Sequence, residues 1–123
     1  MSQLERFKEF CEKWMAQLGM TGWVVYYSEG VSDKYAECTY WIDSRVAVIN
    51  LSPTHEHPPE ELERIAFHEV MHLFLADLVS MVRDRTFQEE LLKRTEHRII
   101  NTLERLVLGP VAKWKLEEEP VRR

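Results

Sequence analysis

The chain has little cysteine, no long uncharged apolar run and no excess of positive charge, and each shortage removes a class of protein. Two cysteines, Cys11 and Cys38, are too few for a disulfide framework and are not spaced like a metal clip, so they read as reduced thiols suited to a cytoplasm. No stretch is long enough to span a bilayer without charges, and the charge-rich N-terminus lacks the apolar core of a signal peptide; neither membrane insertion nor secretion is signalled. Lys and Arg number 16 against 21 Asp and Glu, a formal net charge of -5. That argues against nucleic acid as a partner, since its binders concentrate cations to displace condensed counterions. What remains is 123 residues, 45% hydrophobic and 30% charged, the make-up of one globular domain around one core.

Periodicity divides the chain into a helix, three strands and two further helices. From Ser2, the apolar residues Leu4, Phe7, Cys11, Trp14 and Leu18 recur at helical spacing, and Gly19 stands where a left-handed cap belongs. Trp23 to Tyr27, Tyr35 to Ile42 and Val46 to Leu51 are rich in aromatic and β-branched residues and read as strands. Asp43-Ser44-Arg45 is short enough to close the last two into a hairpin, so the small sheet is expected to be antiparallel. Ser52 to Pro59 breaks the strand pattern, and a helix starting at Pro59, with Glu60 and Glu61 in its first turn, carries apolar residues around much of its circumference as far as Val79. That makes it the buried, central helix. After the charged break Arg83-Asp84-Arg85, helical spacing resumes from Phe87 to Leu108 and stops at Gly109-Pro110; residues 111–123 form a mixed-charge tail.

The chemistry lies in His68-Glu69-Val70-Met71-His72. Residues four apart share a helix face, so both imidazoles can address one cation, and the adjoining Glu69 carboxylate is placed to take a proton from a metal-polarised water. A catalytic zinc site needs a third protein ligand. If Asp84 is the apex of an antiparallel helical hairpin, positions equally far from it lie level, and His72 and Glu96 are each twelve residues away. Glu96 also falls within an apolar stripe of Leu92, Ile99, Leu103 and Leu106, a costly place for a carboxylate unless a cation compensates it. Glu96 is therefore the expected third ligand, with Glu89 in reserve and, should Glu96 fail, His97 and the His55/His57 loop the further candidates. His97, turned about 100° away, is expected at the solvent face or the edge of the cleft. His55 and His57 sit in a proline-rich loop and receive no role, Trp14, Trp23 and Trp41 read as core or sheet residues, and Asp77 points away from the metal face.

Together His68, Glu69, His72 and Glu96 resemble the gluzincins, zinc peptidases in which HExxH is joined by a downstream glutamate on another helix; the short chain resembles the minigluzincins in particular. The resemblance implies an α+β, minimal zincin-like domain over residues 1–110, one Zn2+ per chain held by His68, His72 and Glu96, and hydrolysis of peptide bonds with Glu69 as general base. It also implies a peptide or protein substrate extended along an edge strand, here Tyr35 to Ile42. Ile100 stands where the thermolysin branch places an aspartate beside its ligands. The glycine and third histidine of metzincins would fall at Leu75 and Leu78, so that class fits less well. The rival reading from another class is an inactive or latent zincin-like domain whose metal is structural and whose surface binds a partner protein. The residue that stabilises the oxyanion is left open among Tyr, His and Arg.

Overall fold

The computed structural model describes residues 1–83 and 89–109. Helix α1 (Gln3–Gln17) begins with a capping box, in which the Ser2 hydroxyl accepts from the Glu5 amide and the Glu5 carboxylate accepts from the Ser2 amide. It ends before Gly19, whose φ of 70° is the left-handed value that the C-terminal cap requires. The strands are β1 (Val24–Glu29), β2 (Ala36–Trp41) and β3 (Val46–Leu51). The remaining helices are α2 (Pro59–Phe74), α3 (Ala76–Arg83) and α4 (Glu89–Leu108). The fold is α+β.

The sheet departs from the expected all-antiparallel arrangement. Its order is β1-β3-β2, with β1 parallel to β3 and β2 antiparallel to it, so the sheet is mixed. The β2–β3 hairpin forms as the short turn requires, Arg45 adopting a left-handed φ of 58° within it. The third strand then enters between the other two instead of lying outside them. A physical reason is visible in composition: β3 carries no charged residue and buries Ala47, Ile49 and Leu51 on one face, whereas β1 ends in Glu29 and β2 includes Glu37. The apolar strand takes the centre and the charged strands take the edges, where unpaired backbone can be solvated.

One core joins these layers. Phe7, Cys11 and Trp14 of α1 meet Leu62, Ile65, Ala66, Phe67, Val70 and Met71 of α2 over the β3 face, and Trp14 sets its edge against Phe67 at a centroid distance of 4.9 Å. Helix α2 is buried along ten of its residues because α1, β2 and α4 all pack on it. The expected central helix is not continuous to Val79; it bends by 48° after Phe74 into α3, which keeps Ala76 and Val79 buried. Among the described residues no single helix is long and apolar enough to cross a membrane. The turn around Asp84 and the tail beyond Gly109 lie outside the described residues.

Candidate metal centre

His68 and His72 project from α2 one turn apart, their ring centroids separated by 5.1 Å. Opposite them runs α4, whose buried residues are Glu96, Ile100 and Glu104. This face overlaps the expected apolar stripe at Glu96 and Leu103 but is rotated from it toward Ile100 and Glu104. Ile99 is 36% exposed and Leu106 77%, while Glu104 is only 1% exposed. The helix is turned so that carboxylates, not leucines, face α2, because α2 presents Arg64, His68 and His72 to it: buried ionisable groups on one helix need hydrogen-bonding partners on the other.

Three contacts define this polar seam. Glu96 Oε2 lies 2.7 Å from His72 Nδ1, with the carboxylate buried, and Glu104 Oε1 lies 3.4 Å from His68 Nδ1, with both side chains buried. Arg64 closes the far end. Its guanidinium donates to Glu104 Oε2 at 3.3 Å and to the last carbonyls of α4, those of Leu108 at 3.1 Å and Gly109 at 3.2 Å. It thereby satisfies carbonyls that a helix C-terminus leaves without intrahelical partners.

Turning α4 in this way also brings in His97. Its ring centroid lies 5.6 Å from that of His68 and 4.7 Å from that of His72. One ligand atom from each of the three histidines lies within 4.8 Å of the others. Two nitrogens bound to one tetrahedral zinc at about 2.05 Å stand about 3.3 Å apart, so the farthest pair would close by about 1.5 Å at most, a matter of side-chain rotation. Each ring has its Nδ1 engaged: on Glu104 for His68, on Glu96 for His72, and on the Lys93 carbonyl at 2.9 Å for His97. That is how metal-binding imidazoles are oriented, by a carboxylate or carbonyl on the nitrogen that does not ligate. The donor set fits a borderline-soft divalent cation.

The expected ligands therefore separate. His68 and His72 converge, but Glu96 does not belong to the converging group; it is the hydrogen-bond partner of His72, one step behind it. His97 stands at the cleft edge, one of its two expected places, and there joins His68 and His72 in the converging group. The reserve residue Glu89 is exposed and paired with Arg83 at 3.0 Å. Asp77 is exposed and pairs with Arg45 at 3.0 Å, turned to the surface as expected. His57 hydrogen-bonds Glu61 at 3.2 Å, and both His55 and His57 set their rings against Tyr35, a local brace for the loop entering α2. Ile100, where an acid was missing, is a core residue. Glu104 was not foreseen; its only sequence signal is its place four residues after Ile100 and eight after Glu96 on one helix face.

The cluster opens into a cleft of about 350 Å³ lined by Glu69, His72, Glu96 and His97 from the helices and by Ala36 to Tyr40 of the edge strand β2. Glu69 is buried. Burial, and after it the negative charge of Glu69 and Glu96, pushes the Cys38 thiol well above its ordinary value, so it stays a thiol in this cleft. Burial and then Glu96 likewise raise the Tyr40 phenol, with Arg83 opposing, so Tyr40 keeps a proton to donate. Comparison with known proteins attaches no relative to this arrangement: no family model, curated protein or solved structure matches the chain.

Proposed function

We propose that this protein is a zinc-dependent metallopeptidase with His68, His72 and His97 as metal ligands and Glu69 as general base. The observation that carries the reading is the convergence of three histidines, each anchored through Nδ1, with His72 and His97 lining a cleft and His68 buried behind them, beside a buried glutamate that also lines that cleft. A zinc ion held there supplies Lewis acidity, polarising a peptide carbonyl and acidifying a water. The chain's own groups do the rest. Glu69 accepts the proton of the attacking water and returns it to the leaving amine, so the carboxylate ends the cycle unchanged. Glu96 and Glu104 hold His72 and His68 in the tautomer that presents Nε2. The free edge of β2 along the cleft offers backbone donors and acceptors to an extended peptide, a mode of binding that reads main chain before side chain. Tyr40 supplies a hydroxyl donor on the strand side, suited to a developing oxyanion. The motif is that of the zincins, with a histidine in place of the expected downstream glutamate.

The test is hydrolysis of a mixed pool of fluorogenic peptides by zinc-reconstituted protein, wild type against Glu69→Gln. The expected result is about one zinc per chain in both proteins and cleavage by the wild type alone, because an amide cannot take the water's proton. Zinc bound equally with no cleavage by either protein would make the metal structural and favour the interaction-domain reading. Failure of the wild type to take up zinc would remove the metalloenzyme altogether.

A further inference from the structure

Beside the metal cluster, the outer face of α4 carries an unusual concentration of positive charge. Lys93, Arg94, His97, Arg98 and Arg105 line one surface groove along the helix, and Glu90 is the one acidic side chain among the lining residues. The four Lys and Arg side chains are exposed. Lys13, Lys34, Arg45, Arg64 and Arg83 are each ion-paired, whereas these four, like Arg6 and Lys8 of α1, make no ion pair among the described residues, and only here do four such cations share one groove. Arg94 and Arg98 stand four apart on the helix, where like charges repel and weaken it. In a chain whose net charge is -5, an unneutralised basic stripe is a local feature and not a consequence of composition.

Two of its residues tie the stripe to the cleft, since Lys93 and His97 line both. A chain lying along the β2 edge and past His97 would leave the cleft onto Arg94, Arg98 and Arg105. We propose that this face docks an acidic stretch of the polypeptide whose neighbouring bond lies at the histidine cluster, so that acidic residues to one side of the cleavage point select the substrate. The inference rests on the peptidase reading for what becomes of the bound chain; the docking itself needs no catalysis. An acidic polypeptide is favoured over nucleic acid because the basic stripe is short, four Lys and Arg side chains on one helix, and because a peptide also gains the backbone of β2.

The test uses the full chain as zinc-loaded Glu69→Gln protein and fluorescence anisotropy with three labelled probes of equal length: an Asp/Glu-rich peptide, a Ser/Ala-rich peptide and a single-stranded oligonucleotide. The acidic peptide is expected to bind at least about tenfold more tightly than the neutral one and to weaken as salt rises from about 0.05 M to about 0.5 M, as exposed charge pairs are screened. Charge reversal at Arg94, Arg98 and Arg105 together should weaken the acidic peptide by about tenfold or more and leave the neutral peptide within about twofold. The double neutralisation Arg94→Gln with Arg98→Gln gives a smaller loss of the same kind and serves if the triple variant unfolds. Equal affinity for acidic and neutral peptides, an unchanged Kd in both variants, or tighter binding of the oligonucleotide than of the acidic peptide would each overturn the proposal. Acidic-peptide binding lost in the Arg variants, alongside a wild type that hydrolyses nothing, would keep the docking face and discard the peptidase; cleavage of acidic and neutral peptides with equal kcat/KM and no Arg dependence would do the reverse.

Discussion

Replacing His97 and Glu96 one at a time separates a metal ligand from the residue that orients one. His97→Ala removes one of three converging nitrogens and leaves two, fewer than a catalytic zinc site uses. Glu96→Gln keeps all three and alters only the 2.7 Å contact to His72 Nδ1, where an amide oxygen still accepts but the charge is gone. Loss of such an orienting partner lowers metal affinity about 10- to 100-fold, or about 1.4 to 2.8 kcal/mol at 1.4 kcal/mol per decade. Loss of the ligand itself should exceed that range, so His97→Ala is expected to fall more than about 100-fold below wild type, and Glu96→Gln to lie between them. The assay is competition for zinc against a chromophoric chelator, with circular dichroism to confirm that each variant is folded. The ordering is the decisive quantity. If Glu96→Gln loses more affinity than His97→Ala, the carboxylate is the ligand after all, and the three-histidine assignment is refuted.

Two further outcomes follow from buried titratable groups. Glu104→Ala strips a buried guanidinium of its carboxylate and His68 of its Nδ1 partner; removal of one member of a buried pair costs about 3 to 5 kcal/mol, so chemical denaturation should show a loss of that size and a loss under about 1 kcal/mol would mean that Arg64 is content with the α4 carbonyls alone. Burial holds the Cys11 and Cys38 thiols and the Tyr27 phenol above their ordinary values. Their stabilising contribution is therefore complete below the ordinary thiol value of 9.0 and is lost as pH climbs toward the raised folded values, because the unfolded chain ionises first. Thermal scans from about pH 7 to about pH 11 should show Tm falling in the alkaline half, less steeply in Cys11→Ala; a Tm flat across that half would contradict the burial of these groups.

How much of this was legible in the sequence depends on which physical signal a residue carries. The capped start of α1, the bounds of β3 and the start of α2 at Pro59 are written locally, in a Ser-x-x-Glu capping box, a short β-branched apolar run and a proline suited to a first helical turn. HExxH is equally local, since i and i+4 on a helix always share a face. Strand order is not. Nothing within β1 states that β3, 22 residues later in register, will pair with it in parallel; that follows from the competition of three strands for the centre of one sheet, which the uncharged strand wins.

The separation of Glu96 from the histidine cluster has a related cause, and it shows how the seam is built. Choosing a buried face by its leucines assumes that the facing helix is apolar, yet α2 turns Arg64, His68 and His72 toward α4. Against such a surface the lowest-energy face of α4 is the one that can answer those groups, Glu96 and Glu104, even though Leu106 and Ile99 are then left to solvent. Rotating the helix to bury Glu104 as well as Glu96 carries His97, next to Glu96 in sequence and three residues before Ile100, to the rim beside His68 and His72. The same rotation leaves Arg94, Arg98 and Arg105 on the open side. The polar seam, the third histidine and the basic face are thus consequences of one helix rotation, and the seam decides it. A variant that makes the seam apolar, with Arg64→Met, His68→Leu and Glu104→Leu together, should let α4 turn back onto its leucines. It would then keep Glu96 buried within the stripe, turn His97 and residue 104 outward, and move the amide resonances of 93–105 as a block; chemical shifts altered only beside the three replaced residues would show that something other than the seam sets the rotation.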